Sequence, residues 1–471
     1  MESENLMHVT PKIGLLPLYL ALYDDKMPEE RAVFAPFLAG LQKALAGQGL
    51  ELMTAPVCRV RREIAAAVKG FEKADVDLVV TLHLAYSPSL EAAEILAETR
   101  LPLLMLDTTM DVEFTPKTAP GRLMYNHGIH GVQDLASVLR RLGRRPEIVA
   151  GHWQAPEVLP RVAGIARAAA AARRFHSSRV LRLGKVFAGM GDFQVAPEML
   201  RHGLGIAVEQ AAPSVLATAV RAVTAKAVAA EVAEDRKRYA VTAPAAVHAR
   251  SVRLALGLRR FLADGGYNAF SFNFEAFDQG TGPVDTVPFL EASKAMARGV
   301  GYAGEGDVLT AALVGALAAA FGDTSFTEIF CPDWKHNVLF LSHMGEANPE
   351  LLAGKPELVE KPFPFTPAQN PAMIAGAFRP GAATLVNLVP GPDDRFSLVL
   401  APVEMLPEPR GAAFAGWVRG WLRPSLPVAP FLERYSVAGG THHSALVYGP
   451  NRLEPLQAFA RFQNWSCEII S

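Results

Sequence analysis

Along the first 150 residues, short apolar runs alternate with stretches of helical period. The runs at 12–19, 50–54, 76–82, 102–107 and 147–152 read as strands, and those at 30–47, 60–72 and 89–98 as amphipathic helices. Apolar runs separated by helices predict βαβ units around a parallel sheet. No GxGxxG follows the first run and no GxxxxGK[ST] occurs, so neither a dinucleotide fold nor a phosphate loop is indicated.

Residues 157–175 read as an Ala- and Arg-rich helix, and a second α/β unit begins near 179 with VLRLGKVFAGMGDF. Helices are expected over 212–237, 245–264, 291–298 and 308–320, with a strand at 267–274 and a turning loop at 299–307. Asp307 stands where the last of these helices needs an N-cap. Past residue 324 helical periods stop, and strand-like segments follow at 338–343, 382–389, 396–406 and 435–448. PGPDDR, between two of them, is a hairpin turn signal. Regular short strands with Pro and Gly punctuation suggest an antiparallel sheet or barrel. The expected domains are therefore 1–178, 179–324 and 325–471.

Composition narrows the class. Half of the 471 residues are apolar, a fifth are charged, and 46 basic against 47 acidic residues leave a net charge of −1. That balance fits a globular protein and gives no reason to expect a nucleic-acid partner. The start, MESENLMHVTPK, has no secretory pattern, and no run of about 20 apolar residues could span a bilayer. Cys58, Cys331 and Cys467 are far apart and lack CxxC spacing, so a reducing cytoplasm is the expected home.

Candidate chemistry gathers late in the chain. Glu305 lies in AGEGD, where glycines let the backbone bend and a ligand come close. Glu328 lies in TSFTEIF, His343 ends VLFLSH with Glu346 just beyond, and His442 and His443 form a pair in GGTHHS. Singly, each Glu is more often a solvated or ion-paired residue and each His more often a structural one. Together, two carboxylates and two imidazoles suit Mn²⁺, Co²⁺ or Mg²⁺. On a strand, neighbouring histidines point to opposite faces, so only one of the pair is expected to ligate. His127 and His130, in MYNHGIHGVQD, occupy a loop of the kind that binds ligands in α/β sheets, or else simply cap a helix.

These segments resemble the L-arabinose isomerase family. The resembling pieces run in order through nearly the whole chain: IGLLPLY, NHGIHG, GHWQ, the RLG strand, SFNFE, GYAGEGDVLTAAL, TSFTE, LSHMGE and GGTHHS. The resemblance implies a Rossmann-like N-terminal domain, a central α/β domain and a C-terminal antiparallel β-barrel. It implies that Glu305, Glu328, His343 and His443 hold a Mn²⁺-type ion, with Glu305 and Glu328 as the acid/base pair. It further implies a homo-oligomer, hexameric or trimer-based, in which His130 reaches a neighbouring subunit's site. Leu18, Tyr19, His127, Phe274 and His442 would join His130 in contacting the sugar.

The departures concern that sugar. The family's Gln-His in the first βα turn is here Leu16-Pro17, the Gln before the loop histidine is His127, and GMGDF (189–193) replaces a different polar run. The expected function is a metal-dependent aldose–ketose isomerase with altered specificity. The rivals are an epimerase on the same site and a non-catalytic sugar binder. No Gly-rich cradle or Arg cluster points to a phosphorylated substrate.

Overall fold

The computed structural model describes residues 9–392, 395–409, 411 and 413–471. The chain divides into two compact units, one of Val9–Arg173 with Glu454–Phe462 and one built on Arg174–Leu453 with Gln463–Ser471. No helix among the described residues is long and apolar enough to cross a membrane.

The first unit holds a parallel sheet in the order Glu51–Thr54, Lys12–Leu18, Leu78–His83, Leu103–Asp107 and Glu147–Ala150. Its central strands are apolar almost throughout because both faces are covered. The helices Phe34–Ala46, Arg61–Lys73 and Ala93–Glu98 fall within the stretches where the helical periods predict them, and Ile129–Arg141 follows the histidine loop.

The second unit contains a four-stranded parallel sheet ordered Gly301–Gly304, Ala269–Phe272, Arg179–Leu183 and Ala207–Ala211. It also contains a closed antiparallel barrel. Six strands follow in the order Phe396–Met405, Gly381–Pro390, His443–Tyr448, Thr324–Asp333, Val338–His343 and Val418–Pro424, and the last pairs back onto the first. Closure removes the exposed edges. The 381–405 hairpin keeps its register through ten residue pairs. Of its expected turn, Asp393 and Asp394 lie outside the described residues.

Several local expectations are corrected. Residues 299–307 are not all loop, because Gly301–Gly304 is a strand. Its small residues hide the strand signal and serve packing. A Cβ on Gly301 would lie 2.0 Å from the carbonyl oxygen of Ala311 in the helix Val308–Phe321. That helix is buried at every position, which explains its lack of a polar face. Gly301→Ala is therefore expected to cost about 3 kcal/mol, the upper end for overpacking, because backbone must move. Scanning calorimetry would register it as a lowered melting temperature.

The helix expected at 212–237 is broken into Pro213–Leu216, Ala217–Arg221 and Ala225–Arg238, the last capped by the Thr224 hydroxyl. The strand Ala207–Ala211 escapes notice because it is a mostly exposed edge. Helical periods do not stop at 324: Val428–Val437 and Leu453–Phe462 are helices. Only His443–Tyr448 of the expected 435–448 strand is extended. Phe431 and Tyr435, one helical turn apart, are both buried and stack at 5.8 Å.

Candidate metal centre

Glu305 follows the strand Gly301–Gly304 and takes the left-handed conformation, φ +60°. That conformation is costly for a residue with a Cβ. It is held by Phe187 N–H, which donates to the Glu305 carbonyl at 2.9 Å, and by Gly306, where a Cβ would meet Val186 Cα at 2.8 Å. Asp307 then caps the helix, its Oδ1 accepting from Thr310 N–H at 2.9 Å. The predicted cap is observed, and its second oxygen does something the sequence does not reveal: Oδ2 accepts from His443 Nδ1 at 3.0 Å.

The barrel supplies the rest at one end. Glu328 pairs in register with His443 on one neighbouring strand and with Ser342, beside His343, on the other. His343 Nδ1 bonds Glu346 Oε2 at 2.6 Å, while Tyr302 O–H donates to Glu346 Oε1 at 2.7 Å. A Cβ on Gly304 would lie 2.9 Å from His343 Cε1, so glycine is needed for the approach. Phe326 packs edge-on against both rings, 4.9 Å from each.

Both imidazoles thus use Nδ1 on a buried carboxylate and turn Nε2 inward. His443 Nε2 stands 3.4 Å from Glu305 Oε2, and His343 Nε2 stands 3.7 Å from Glu328 Oε2. Buried His443 Nε2 has no hydrogen-bond partner among the described residues. One ligand atom each from Glu305, His343 and His443 lie within 4.8 Å of one another. Carboxylates behind metal-binding histidines fix ring orientation and tautomer. Glu328 stands outside that triad but beside it.

The charges respond to this crowding. Burial pushes Glu305 up, but the neighbouring imidazoles of His442, His443 and His343 outweigh it and hold the carboxyl well below its ordinary range. Burial raises Glu328. Burial lowers His343, yet the Glu346 charge overrides it and pushes the ring up to about 9. His442 is likewise pushed up to about 10, where Asp192 and Glu305 outweigh burial.

Other expected site residues lie as follows. His442 precedes the strand rather than sitting in it, so the expectation that the two rings face apart is not met. Their centroids are 4.3 Å apart, and His442 Nε2 lies 3.8 Å from Glu305 Oε2. Phe274 joins an aromatic cluster with Phe187, Phe363 and Phe365. In the first unit, Leu18 and Tyr19 are buried at the end of the Lys12–Leu18 strand. His127 Nε2 lies 3.2 Å from Tyr23 O–H, and His130 is exposed in the first turn of Ile129–Arg141.

Sequence reasoning missed the roles of Asp192, Phe193, Asn387 and Tyr302. Asn387 braces the approach to His443, its Nδ2 donating to the His443 carbonyl and to Thr441 Oγ1 at 2.8 Å. Only the departure at 189–193 hinted at any of them.

Within the second unit, the strand Gly301–Gly304 of the parallel sheet and one end of the closed barrel bring Glu305, His343 and His443 together as a candidate metal centre. Models of the L-arabinose isomerase N-terminal, central and C-terminal domains match residues 36–177, 198–321 and 323–465. An L-arabinose isomerase of Klebsiella pneumoniae (strain 342) is 28% identical over 423 residues, covering 83% of this chain and 80% of its own. That of Nocardioides sp. is 27% identical over 459 residues, covering 90% and 87%. That of Shouchella clausii is 28% identical over 362 residues, covering 73% and 71%. The chain belongs to the L-arabinose isomerase family and is an aldose–ketose isomerase.

Proposed function

We propose that the enzyme is metal-dependent, that Glu305, Glu328, His343 and His443 hold a Mn²⁺-type ion, and that its sugar differs from L-arabinose. The convergence of Glu305, His343 and His443 carries the reading. The unpartnered Nε2 of buried His443 and the mixed oxygen and nitrogen donors fit such an ion, with Co²⁺ and Mg²⁺ as alternatives.

When bound, the ion supplies Lewis-acid stabilisation for negative charge developing on the sugar oxygens. Glu305, fixed by its strained turn, chiefly ligates. Glu328, beside the triad, takes the proton from the carbon next to the carbonyl and returns it to the neighbouring carbon. His343 and His443 are ligands held in orientation by Glu346 and Asp307. Glu346→Gln is accordingly expected to lower Mn²⁺ affinity by roughly 10–100-fold, the range for an outer partner of a ligand. Titration followed by electron paramagnetic resonance would measure it, and unchanged affinity would remove Glu346 from the site.

Leu16-Pro17 stands where the family pattern has Gln-His; both are buried within the strand Lys12–Leu18 rather than in a turn, Leu16 in the apolar core, so neither offers a hydroxyl a side-chain partner. A wall that pairs hydroxyls discriminates strongly among sugars. His442 and Phe274 are the proposed sugar contacts beside the metal ligands, with Leu18, Tyr19, His127 and His130 as further ones. The proposal includes the domain division at 178/179 and 324/325, a cytoplasmic home, and a hexamer in which His130 serves a neighbouring copy.

The test is a Mn²⁺-supplemented screen of free aldoses and ketoses in D₂O, with products identified by NMR. One aldose–ketose pair should interconvert with deuterium entering at C1 or C2. Inverted configuration without a ketose product would establish an epimerase instead. No conversion and no bound metal would overturn the proposal.

A further inference from the structure

Asp192 and Phe193 belong to the run at 189–193 where the sequence leaves the family pattern, and both touch the histidine pair. Asp192 Oδ2 lies 2.6 Å from His442 Nδ1 and accepts the His442 backbone N–H at 3.4 Å. Phe193 is 3% exposed and stacks on His443, with centroids 5.0 Å apart and planes 9° apart. It also lies 5.6 Å from the His442 ring.

A carboxylate is acceptor-only, so Nδ1 of His442 must be the donor in this pair. One ring nitrogen is thereby committed, and the same oxygen also ties down the His442 backbone. Nε2 is left facing Glu305 Oε2 at 3.8 Å, beyond hydrogen-bond length, on a side chain that is 28% exposed. A hydroxyl both donates and accepts, so it can pair with that nitrogen. His442 takes no part in the Glu305, His343 and His443 triad, so its orientation is free to serve selection instead of ligation.

Resting on the sugar-isomerase reading, we propose that Asp192 is a positioning residue for sugar selection. It holds His442 so that Nε2 pairs with one hydroxyl of a neutral aldose or ketose beside Glu305. Phe193 seats the segment against His443, so Asp192 cannot swing away without exposing a buried ring. The chain thus sets specificity with a residue that touches no substrate.

The test uses the full-length, Mn²⁺-loaded protein and calorimetric titration with ribitol, xylitol, D-arabinitol and L-arabinitol. The parent should prefer one pentitol over another by tenfold or more. Asp192→Ala should flatten that preference to within threefold. Asp192→Asn should keep it, because its side-chain oxygen accepts the same N–H. Mn²⁺ affinity should stay within threefold in both variants. Should Asp192→Ala fail to fold, Asp192→Ser, too short to reach the ring, takes its place.

Retention of the preference in Asp192→Ala, equal loss in Asp192→Ala and Asp192→Asn, or no preference in the parent would each overturn the inference. A Mn²⁺-loaded parent that binds none of the four polyols would overturn the sugar reading itself, and this inference with it.

Discussion

Glu305→Gln and Glu328→Gln are each expected to cut turnover by roughly 100-fold or more, the low end of what one acid/base group supplies. The amide keeps the shape and much of the hydrogen bonding but removes the charge and the proton-accepting oxygen. The two losses should differ in kind. Glu305 belongs to the triad whose ligand atoms lie within 4.8 Å, so its amide should also weaken Mn²⁺ binding. Glu328 lies outside that triad, 3.7 Å from His343 Nε2, so its amide should lose turnover with the smaller change in metal affinity. Both variants keep a Cβ at position 305, so the φ of +60° and its cost are unchanged, and similar melting curves would separate lost chemistry from lost fold. Steady-state rates with metal titration decide the matter. Near-parental turnover in either variant removes that residue from the mechanism.

His443→Ala is expected to lower Mn²⁺ affinity by roughly 100-fold or more, beyond the range for an outer partner. His442→Ala should leave metal affinity nearly unchanged, because His442 bonds Asp192 and stands outside the triad. Weakened binding in His442→Ala with normal binding in His443→Ala would show that the other ring is the ligand. Binding should also tighten with pH. Metal requires a neutral imidazole, and without metal the His343 ring is pushed up to about 9 by the Glu346 charge despite burial. Below that value a proton must leave as the ion enters. Affinity should therefore rise by up to about tenfold per pH unit for each proton released, and level off above pH 9. Flat affinity between pH 6 and 8 would contradict this protonation.

Much of this molecule is written in local pattern. The apolar runs of the first unit predict its strands, most plainly the three central ones, which are buried on both faces. Asp307 is legible as an N-cap because the rule reaches only three positions along the chain, to Thr310. The resemblance motifs mark Glu305, Glu328, His343 and His443 along a stretch of barrel and loop. What the pattern misreads is instructive. GYAG conceals a strand because glycine at 301 answers to the helix above it, not to strand propensity. The stretch 435–437 looks like a strand because Tyr-Ser-Val alternates apolar and polar, yet it ends the helix Val428–Val437.

The sequence by itself determined the alternation of strands and helices, the barrel texture of the last third and the identity of the candidate ligands. The first two follow from propensity and periodicity, which act between near neighbours, and the candidate ligands from the motifs of the family resemblance. Only the tertiary structure decided how the ligands are held. Asp307 behind His443 is 136 positions away, and Asp192 behind His442 is 250 positions away. Tyr302, 44 positions from Glu346, completes the support of His343. No local rule links such residues. They meet because sheet register and helix packing bring distant backbone together, and the cost of burying their polar atoms then requires that they pair.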